Sequence, residues 1–172
     1  ISINMCLVAS IGVANTMAAV CENVGADWSE IVPALRLDAR IGPKSYIAPG
    51  LGLAGGNLER DLATVIGLAE RHGTDAGIVE AWIDNSRHRK DWCYRVLRDE
   101  VLAADADAAI GLLGLAYKED THSTKNAPSL MLLSHLKASR VTAHDPQVRA
   151  ADIDPDLAAA ATPLDACDGA DA

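Results

Sequence analysis

Apolar positions open this chain in a helical rhythm. Ile3, Leu7, Ile11, Ala14 and Ala18 recur at steps of three and four, which predicts one helix over residues 1–24 with a stop at Gly25. Asn4 and Asn15 share a stripe with Val8 and Ile11, and an amide on an apolar stripe has to find a partner. Asp27-Trp28-Ser29-Glu30 has the form of a capping box and opens a shorter helix to about Leu37. Residues 38–56 lose the rhythm, punctuated by Pro43, Pro49 and the glycines at 50, 52, 55 and 56. It returns in helices from about Leu58 to Gly73 and from about Asp75 to Leu102. The second of these has Trp82, Ile83 and Val96 inside and an Arg87-His88-Arg89-Lys90 cluster outside.

Beyond residue 102 the period changes. Residues 108–117, AAIGLLGLAY, form an apolar run of strand length, followed by the polar loop KEDTHSTKN. Pro128 suits the first turn of a helix capped by Asn126 or Ala127 and lasting to about Lys137. Residues 140–144, RVTAH, read as a second strand stopped by Asp145-Pro146. Strand, helix and strand at this spacing predict a parallel, right-handed unit. The Ala-rich stretch 157–161 reads as a helix or a surface segment. The fold class expected is a mainly α domain over residues 1–102, followed by the beginning of an α/β, Rossmann-like parallel-sheet domain over 103–172. One such unit cannot bury both faces of its sheet, and both chain ends read as cut through an element, so the chain is expected to be a fragment with further strands beyond residue 172.

Composition narrows the partners. The chain is 49% hydrophobic but only 3% aromatic and has no Phe, so its core must be built from Ala, Leu, Val and Ile. A net charge of −9 argues against nucleic acid or an anionic membrane as partner, while leaving room for a local basic pocket. Cys6, Cys21, Cys93 and Cys167 show no CxxC or metal-ligand spacing, which suits reduced thiols in a cytoplasmic protein; no metal site is expected. The apolar opening is broken by Ser2, Asn4, Ser10 and Asn15 and lacks a basic start, which argues against a signal peptide.

Three places hold polar residues that packing alone does not require. Four glycines within residues 49–56 run into Asn57 and Asp61, which lie four apart and so share a helix face. Their plainest reading is a tight connection, with Asn57 as an N-cap and Asp61 as a first-turn acid. The loop after the first strand carries Lys118 and Lys125, placed to meet phosphates because ligands bind outside the carboxyl ends of parallel strands. Its plainest reading is a solvated loop. Asn4 and Asn15 form the third place, and most simply stitch two helices together. Asp38 and Arg40, two apart in a loop, most simply pair with each other. Gly111-x-x-Gly114 is not a dinucleotide fingerprint. His72, His88, His135 and His144 have no carboxylate or cysteine partner at ligand spacing and read as structural.

Taken in order, these islands resemble the UDP-glucose/GDP-mannose dehydrogenase family. The match runs through Asn4, the CENVGAD turn (21–27), Asp38-x-Arg40-Ile41-Gly42, the glycine loop and the Asn85 and Arg87 pair. It continues through GLAYKEDT (114–121), Ala127-Pro128 and Asp145-Pro146, nearly the full chain. The resemblance implies an N-terminal NAD-binding domain outside this chain, a homodimer formed through the central helix, and a C-terminal domain that holds the nucleotide. The family oxidises the C6 alcohol of a nucleotide sugar to a carboxylate in two hydride transfers to NAD, feeding polysaccharide or sugar-nucleotide biosynthesis. An aldehyde has no hydride to give until a nucleophile adds to it, and the family uses a cysteine thiolate for that step.

The resemblance also implies roles residue by residue. Asn4 matches the asparagine of a Lys-x-x-x-Asn motif that helps hold the reacting oxygen or a water; the lysine would fall one residue before Ile1. Arg40 matches an arginine that reaches the partner subunit's substrate. Tyr46 and the loop containing Gly50, Leu53 and Ala54 match the segment that wraps the sugar and diphosphate, with one inserted residue between Arg40 and the loop. Lys118 matches a substrate-binding lysine, Asp61 an aspartate that assists water in thioester hydrolysis, and Lys125 an arginine near the cofactor pyrophosphate.

The departures concern chemistry. The family's loop reads roughly GFGGSCFPKD and this one GLAGGNLERD, so Asn57 stands in the nucleophile's place. An amide nitrogen has a delocalised lone pair and cannot add to the aldehyde, although it can donate a hydrogen bond to a carbonyl or alkoxide. Thr16 stands where the family commonly has Glu, Lys125 replaces Arg, and Ala127 replaces Ser. The expected function is therefore NAD-dependent oxidation of a nucleotide sugar, UDP-glucose-like, with altered chemistry, Asn4, Asn57 and Asp61 being the candidate catalytic residues. The alternative is a non-catalytic, nucleotide-sugar-binding or regulatory dimer.

Overall fold

The computed structural model describes residues 1–137 and 140–172, which divide into two compact units. The first comprises Ile1–Leu53 and Asn57–Arg89, and the second Ala54–Gly56 and Lys90–Ala172.

The first unit is built from α1 (Ser2–Val24), α2 (Trp28–Leu37), α3 (Asn57–His72) and α4 (Gly77–Lys90), whose last residue falls in the second unit. The periodicity of the opening stretch yields α1 almost residue for residue. Val8, Ala14, Ala18 and Cys21 form its buried side. Asp27 caps α2, but its carboxylate accepts from the Ser29 amide at 2.7 Å, and among the described residues Glu30 makes no reciprocal bond. The capping box expected there is thus a one-sided cap. Two apolar clusters fill the unit. Ala14, Ala18 and Cys21 pack with Trp28 and Ile47, while Val8 packs with Leu53, Leu62 and Val79. The Trp28 indole nitrogen donates to the Ile47 carbonyl at 3.0 Å, tying the irregular segment after α2 to the core.

α1 is also long and apolar enough to cross a bilayer, with a mean hydropathy of 1.7 over eighteen residues, of which 22% are buried. Its exposed side carries Ile3, Val13, Met17, Val20 and Val24. The last four follow steps of four, three and four, the spacing of a helix-pairing seam.

The second unit begins with α5 (Trp92–Leu97) and a π-helical turn, Arg98–Leu102. The single helix expected over 75–102 is therefore broken at Asp91. No glycine or proline marks that break. Its reason lies in packing, since Cys93, Tyr94 and Leu97 of α5 serve the second unit's core, whereas Val79, Trp82 and Ile83 of α4 serve the first. Arg89 and Lys90, expected outside, are buried, at 7% and 9% exposed.

The strand expected over 108–117 narrows to β1 (Ile110–Leu113), followed by α6 (Pro128–His135) with Pro128 in its first turn and Ala127 at its cap. β2 (Val141–His144) lies parallel to β1, Ile110 opposite Val141 and Leu113 opposite His144. A short 3-10 turn, Ala150–Asp152, leads to β3 (Ala158–Ala159), parallel to β2. The Ala-rich stretch is not a helix; it lies at the surface, exposed, and its residues Ala158 and Ala159 form a third strand. Alanine's helical preference yields to pairing with Thr142 and Ala143. α7 (Pro163–Cys167) follows, closed by a capping box between Thr162 and Asp165. Ile110, Leu112, Leu115, Leu132 and Val141 lead the core of this unit.

Past α7 the chain returns to the far side of β1. The Gly111 amide donates to the Ala172 carbonyl at 2.8 Å, and the Asp171 amide to the Ala109 carbonyl at 2.8 Å. The three strands run in the order β3, β2, β1, and this last segment meets the start of the free edge of β1 without forming a fourth strand.

Candidate functional site

In the first unit, α1 and α3 bring Asn4 and Asp61 together. The Asn4 amide donates to Asp61 Oδ2 at 2.7 Å, joining residues 57 apart in sequence. Asp61 is buried, with Arg60 at 3.5 Å. The Asn4 hydrogen bond is the main cause that holds its carboxyl below the usual range; burial opposes it, and Arg60 adds to it. Asp61 is therefore a carboxylate at neutral pH, oriented by an amide. Asn57 is the first residue of α3, one turn before Asp61, and its side chain is exposed.

Asn15 does not stitch helices. Its Oδ1 accepts from the Gly50 amide at 2.8 Å, while Arg89 Nε donates to the Gly50 carbonyl at 2.8 Å. Three residues on, the Leu53 amide donates to Ser86 Oγ at 2.7 Å. The Leu53 side chain is buried beside Leu62, so it anchors the loop and would offer a ligand only backbone. Tyr46 is 58% exposed. Arg40 forms a fork with Asp38, Nε to Oδ1 at 3.0 Å and Nη2 to Oδ2 at 2.6 Å, and that pairing raises the arginine and lowers the aspartate. Thr16 Oγ1 accepts from Asn85 at 2.8 Å, joining α1 to α4. A cavity of about 610 Å³ opens between the end of α1, α2 and Pro49, and is lined by none of Asn4, Asn57 or Asp61.

In the second unit, the other end of the glycine loop meets the loop that follows β1. The Gly55 amide donates to the Lys125 carbonyl at 3.0 Å, and the Asn126 side chain donates to the Gly55 carbonyl at 2.7 Å. Gly55 has φ +76°, and a Cβ there would sit 2.9 Å from the Tyr117 ring, so both conformation and space require glycine. A Cβ on Gly56 would lie 2.8 Å from Lys125 Nζ, which places that ammonium directly over the Gly56 backbone. Lys118 is exposed, its Nζ 5.6 Å from the Tyr117 ring centre.

Asp145 fixes the exit from β1. Its Oδ2 accepts from the Leu115 and Ala116 amides at 2.6 and 2.9 Å, and its Oδ1 from Gln147 and Val148 at 2.7 and 2.8 Å. Burial pushes this carboxyl up, and the four amides more than reverse it, leaving it lowered. From sequence Asp145 reads as a strand stop and a point of family resemblance and Asn126 as a candidate helix cap, a place that Ala127 takes, while Ser86 and a buried Arg89 have no role there. A buried-side position for Arg89 was the one signal available, in the helical phase of α4. His135 does have a carboxylate neighbour, contrary to expectation. It lies 3.4 Å from Asp91 and stacks on Tyr94 with centroids 4.4 Å apart.

The described residues thus form a mostly helical protein with one small parallel sheet of three strands. The chain belongs to the UDP-glucose/GDP-mannose dehydrogenase family, whose central-domain model matches residues 1–87 and whose UDP-binding-domain model matches residues 111–172. A UDP-glucose 6-dehydrogenase of Bacillus subtilis is 32% identical over 83% of this chain and 31% of its own length. One from Pseudomonas aeruginosa is 32% identical over 86% and 33%, and one from Rattus norvegicus 28% identical over 92% and 36%. The chain thus spans about a third of the length of these relatives. Among solved structures, a UDP-glucose dehydrogenase from Pyrobaculum islandicum superimposes with a TM-score of 0.82 at 22% identity, over 98% of this chain and 40% of its own, a likeness of fold. The UDP-D-ManNAc dehydrogenase of Pyrococcus horikoshii gives 0.70 at 25% identity, over 85% and 34%.

Proposed function

We propose that this chain supplies the substrate-handling part of a cytoplasmic, NAD-dependent nucleotide-sugar dehydrogenase whose chemistry is altered at Asn57. The observation that carries the reading is the Asn4–Asp61 pair, a buried, amide-oriented carboxylate one helical turn from Asn57. Family membership supports the substrate class, and the relatives named above are oxidoreductases on UDP-glucose.

In this reading Lys118 meets the substrate's phosphates, and Arg40, Tyr46 and the backbone around Gly50, Leu53 and Ala54 wrap the sugar and diphosphate. The exposed Lys125 ammonium over Gly56 fits a pyrophosphate, giving charge without the bidentate fork of an arginine. A bound NAD would supply the hydride acceptor for the C6 carbon, with Lys125 near its pyrophosphate. Asn57 and Asn4 donate hydrogen bonds to the reacting oxygen. Asp61, held ionised, takes a proton from water. With no thiolate at position 57, a second oxidation has to pass through a hydrated aldehyde, so the first oxidation is the expected stopping point. Incubating the intact protein with NAD and UDP-glucose should yield one NADH per sugar, and N57C should raise the count toward two. Two per sugar from the unaltered protein would overturn the block at Asn57. Binding without any NADH would favour a non-catalytic, regulatory role.

The exposed row Val13, Met17, Val20 and Val24 supports a homodimer through α1. Placing an aspartate at Met17 should convert the intact protein to a monomer in sedimentation. An unchanged sedimentation coefficient would rule out that face.

A further inference from the structure

We infer that Asn15 and Arg89, which bond Gly50, and Ser86, which bonds Leu53, are positioning residues that hold the segment Gly50–Leu53 in its ligand-receiving orientation, an inference that rests on the function proposed above. Gly50 is gripped at both of its backbone polar groups, its N–H by Asn15 Oδ1 and its C=O by Arg89 Nε, each at 2.8 Å, so the peptide groups on either side of it are both fixed. Ser86 Oγ holds the Leu53 amide three residues later at 2.7 Å. All three side chains are buried, at 2%, 7% and 7% exposed for Asn15, Ser86 and Arg89. They stand on two rigid helices, α1 and α4, whereas the segment they hold has no secondary structure of its own.

Two features separate positioning from mere stability. Asn15 Nδ2 is buried with no hydrogen-bond partner among the described residues. An unpaired buried donor lowers the net stabilisation from this side chain, so the Gly50 contact is what an asparagine contributes there. The second feature is Gly50 itself. Its φ lies outside the left-handed region, and a Cβ would meet nothing within 4 Å. Nothing inside the fold therefore requires glycine at this position. The peptide is held from within by the clamp and left bare on its open side, where a ligand's diphosphate or sugar can approach the backbone. Preorganising such a peptide saves the ligand the cost of ordering it.

The test measures UDP-glucose affinity by calorimetry on the intact protein, with amide hydrogen exchange at Gly50 and Leu53 read in parallel. N15L, R89M and S86A should each speed exchange at the amide they release or loosen and weaken binding on the order of tenfold to a hundredfold, with thermal midpoints little changed. R89K, which keeps a cationic donor without the planar guanidinium, should recover part of the loss relative to R89M. G50A should leave folding and exchange unchanged yet weaken binding, since its methyl occupies only the open side. Affinity equal to the unaltered protein in N15L and R89M would overturn the clamp while leaving the proposed function standing. A loss in G50A matched by faster exchange would overturn the open-side assignment. Should the unaltered protein fail to bind UDP-glucose, the proposed function falls, and the role given to the clamp falls with it.

Discussion

Placing valine at Gly111 is expected to cost about 3 kcal/mol or more of the second unit's stability, the penalty of overpacking against an immovable neighbour. A Cβ there would lie 2.6 Å from the Ala166 carbonyl oxygen and 3.2 Å from its carbon, and both atoms are backbone of α7. No side-chain rotation relieves such a contact, so α7 must lift from β1. The same residue's amide holds the Ala172 carbonyl at 2.8 Å, so the displacement also strains the pairing on that edge. Equilibrium urea unfolding should show the loss, and G111A should show a smaller one in the same direction. Wild-type stability in G111V would mean that β1 and α7 pack more loosely than the close approach implies. Because β1 delivers Tyr117 and Lys118, the variant should also weaken any phosphate contact made by that loop.

The second large effect concerns Asp145. Its two oxygens satisfy four backbone amides, and two of those begin the loop that ends in Lys118 and Lys125. D145N keeps one oxygen and turns an amide's own donors toward two of them, which should cost roughly 2 kcal/mol at pH 7. The pH dependence follows from the lowered native carboxyl. A group whose folded pKa lies below its unfolded value contributes its stability fully above the unfolded value, about 3.9 for aspartate, and loses it as pH falls through the folded one. The gap between the unaltered protein and D145N should therefore be constant above about pH 5 and shrink below about pH 4. Thermal midpoints of both proteins across that range decide the matter. A gap that persisted unchanged at pH 2.5 would point to packing rather than charge.

Much of the architecture is legible from residue order because local and tertiary preferences agree there. α1 follows from its apolar steps, α6 from Pro128, and β2 from a β-branched run ended by Asp145-Pro146. The failures share one cause, which is contact made at long range. Asp91 interrupts a helical pattern only because the residues on its two sides belong to different cores. Ala158 and Ala159 become a strand only because β2 offers an unpaired edge. The site divides the same way. Asn4, Asn57 and Asp61 stand out as polar residues in apolar or glycine-rich settings, and Asn4 does find Asp61. Arg89 reads as surface charge in a cluster of four basic or histidine residues; only its phase along α4 points inward, and its partner, the Gly50 carbonyl, is set at long range. Asn126 likewise reveals itself only through the Gly55 carbonyl.

The segment beside β1 has a consequence for solubility. Asp171 and Ala172 cover the edge of β1 that β2 leaves open, and Asp171 also accepts from the Ala109 amide through its side chain at 2.8 Å. Uncovered, that edge would present a row of free amides and carbonyls flanked by Ile110 and Leu112, the surface on which a foreign strand adds. The acidic residue guards it twice, by occupying the backbone positions and by bringing a negative charge that disfavours a flat, apolar newcomer. A chain stopped at Gly169 would lose this guard, and strand addition at that edge is the self-association expected of it.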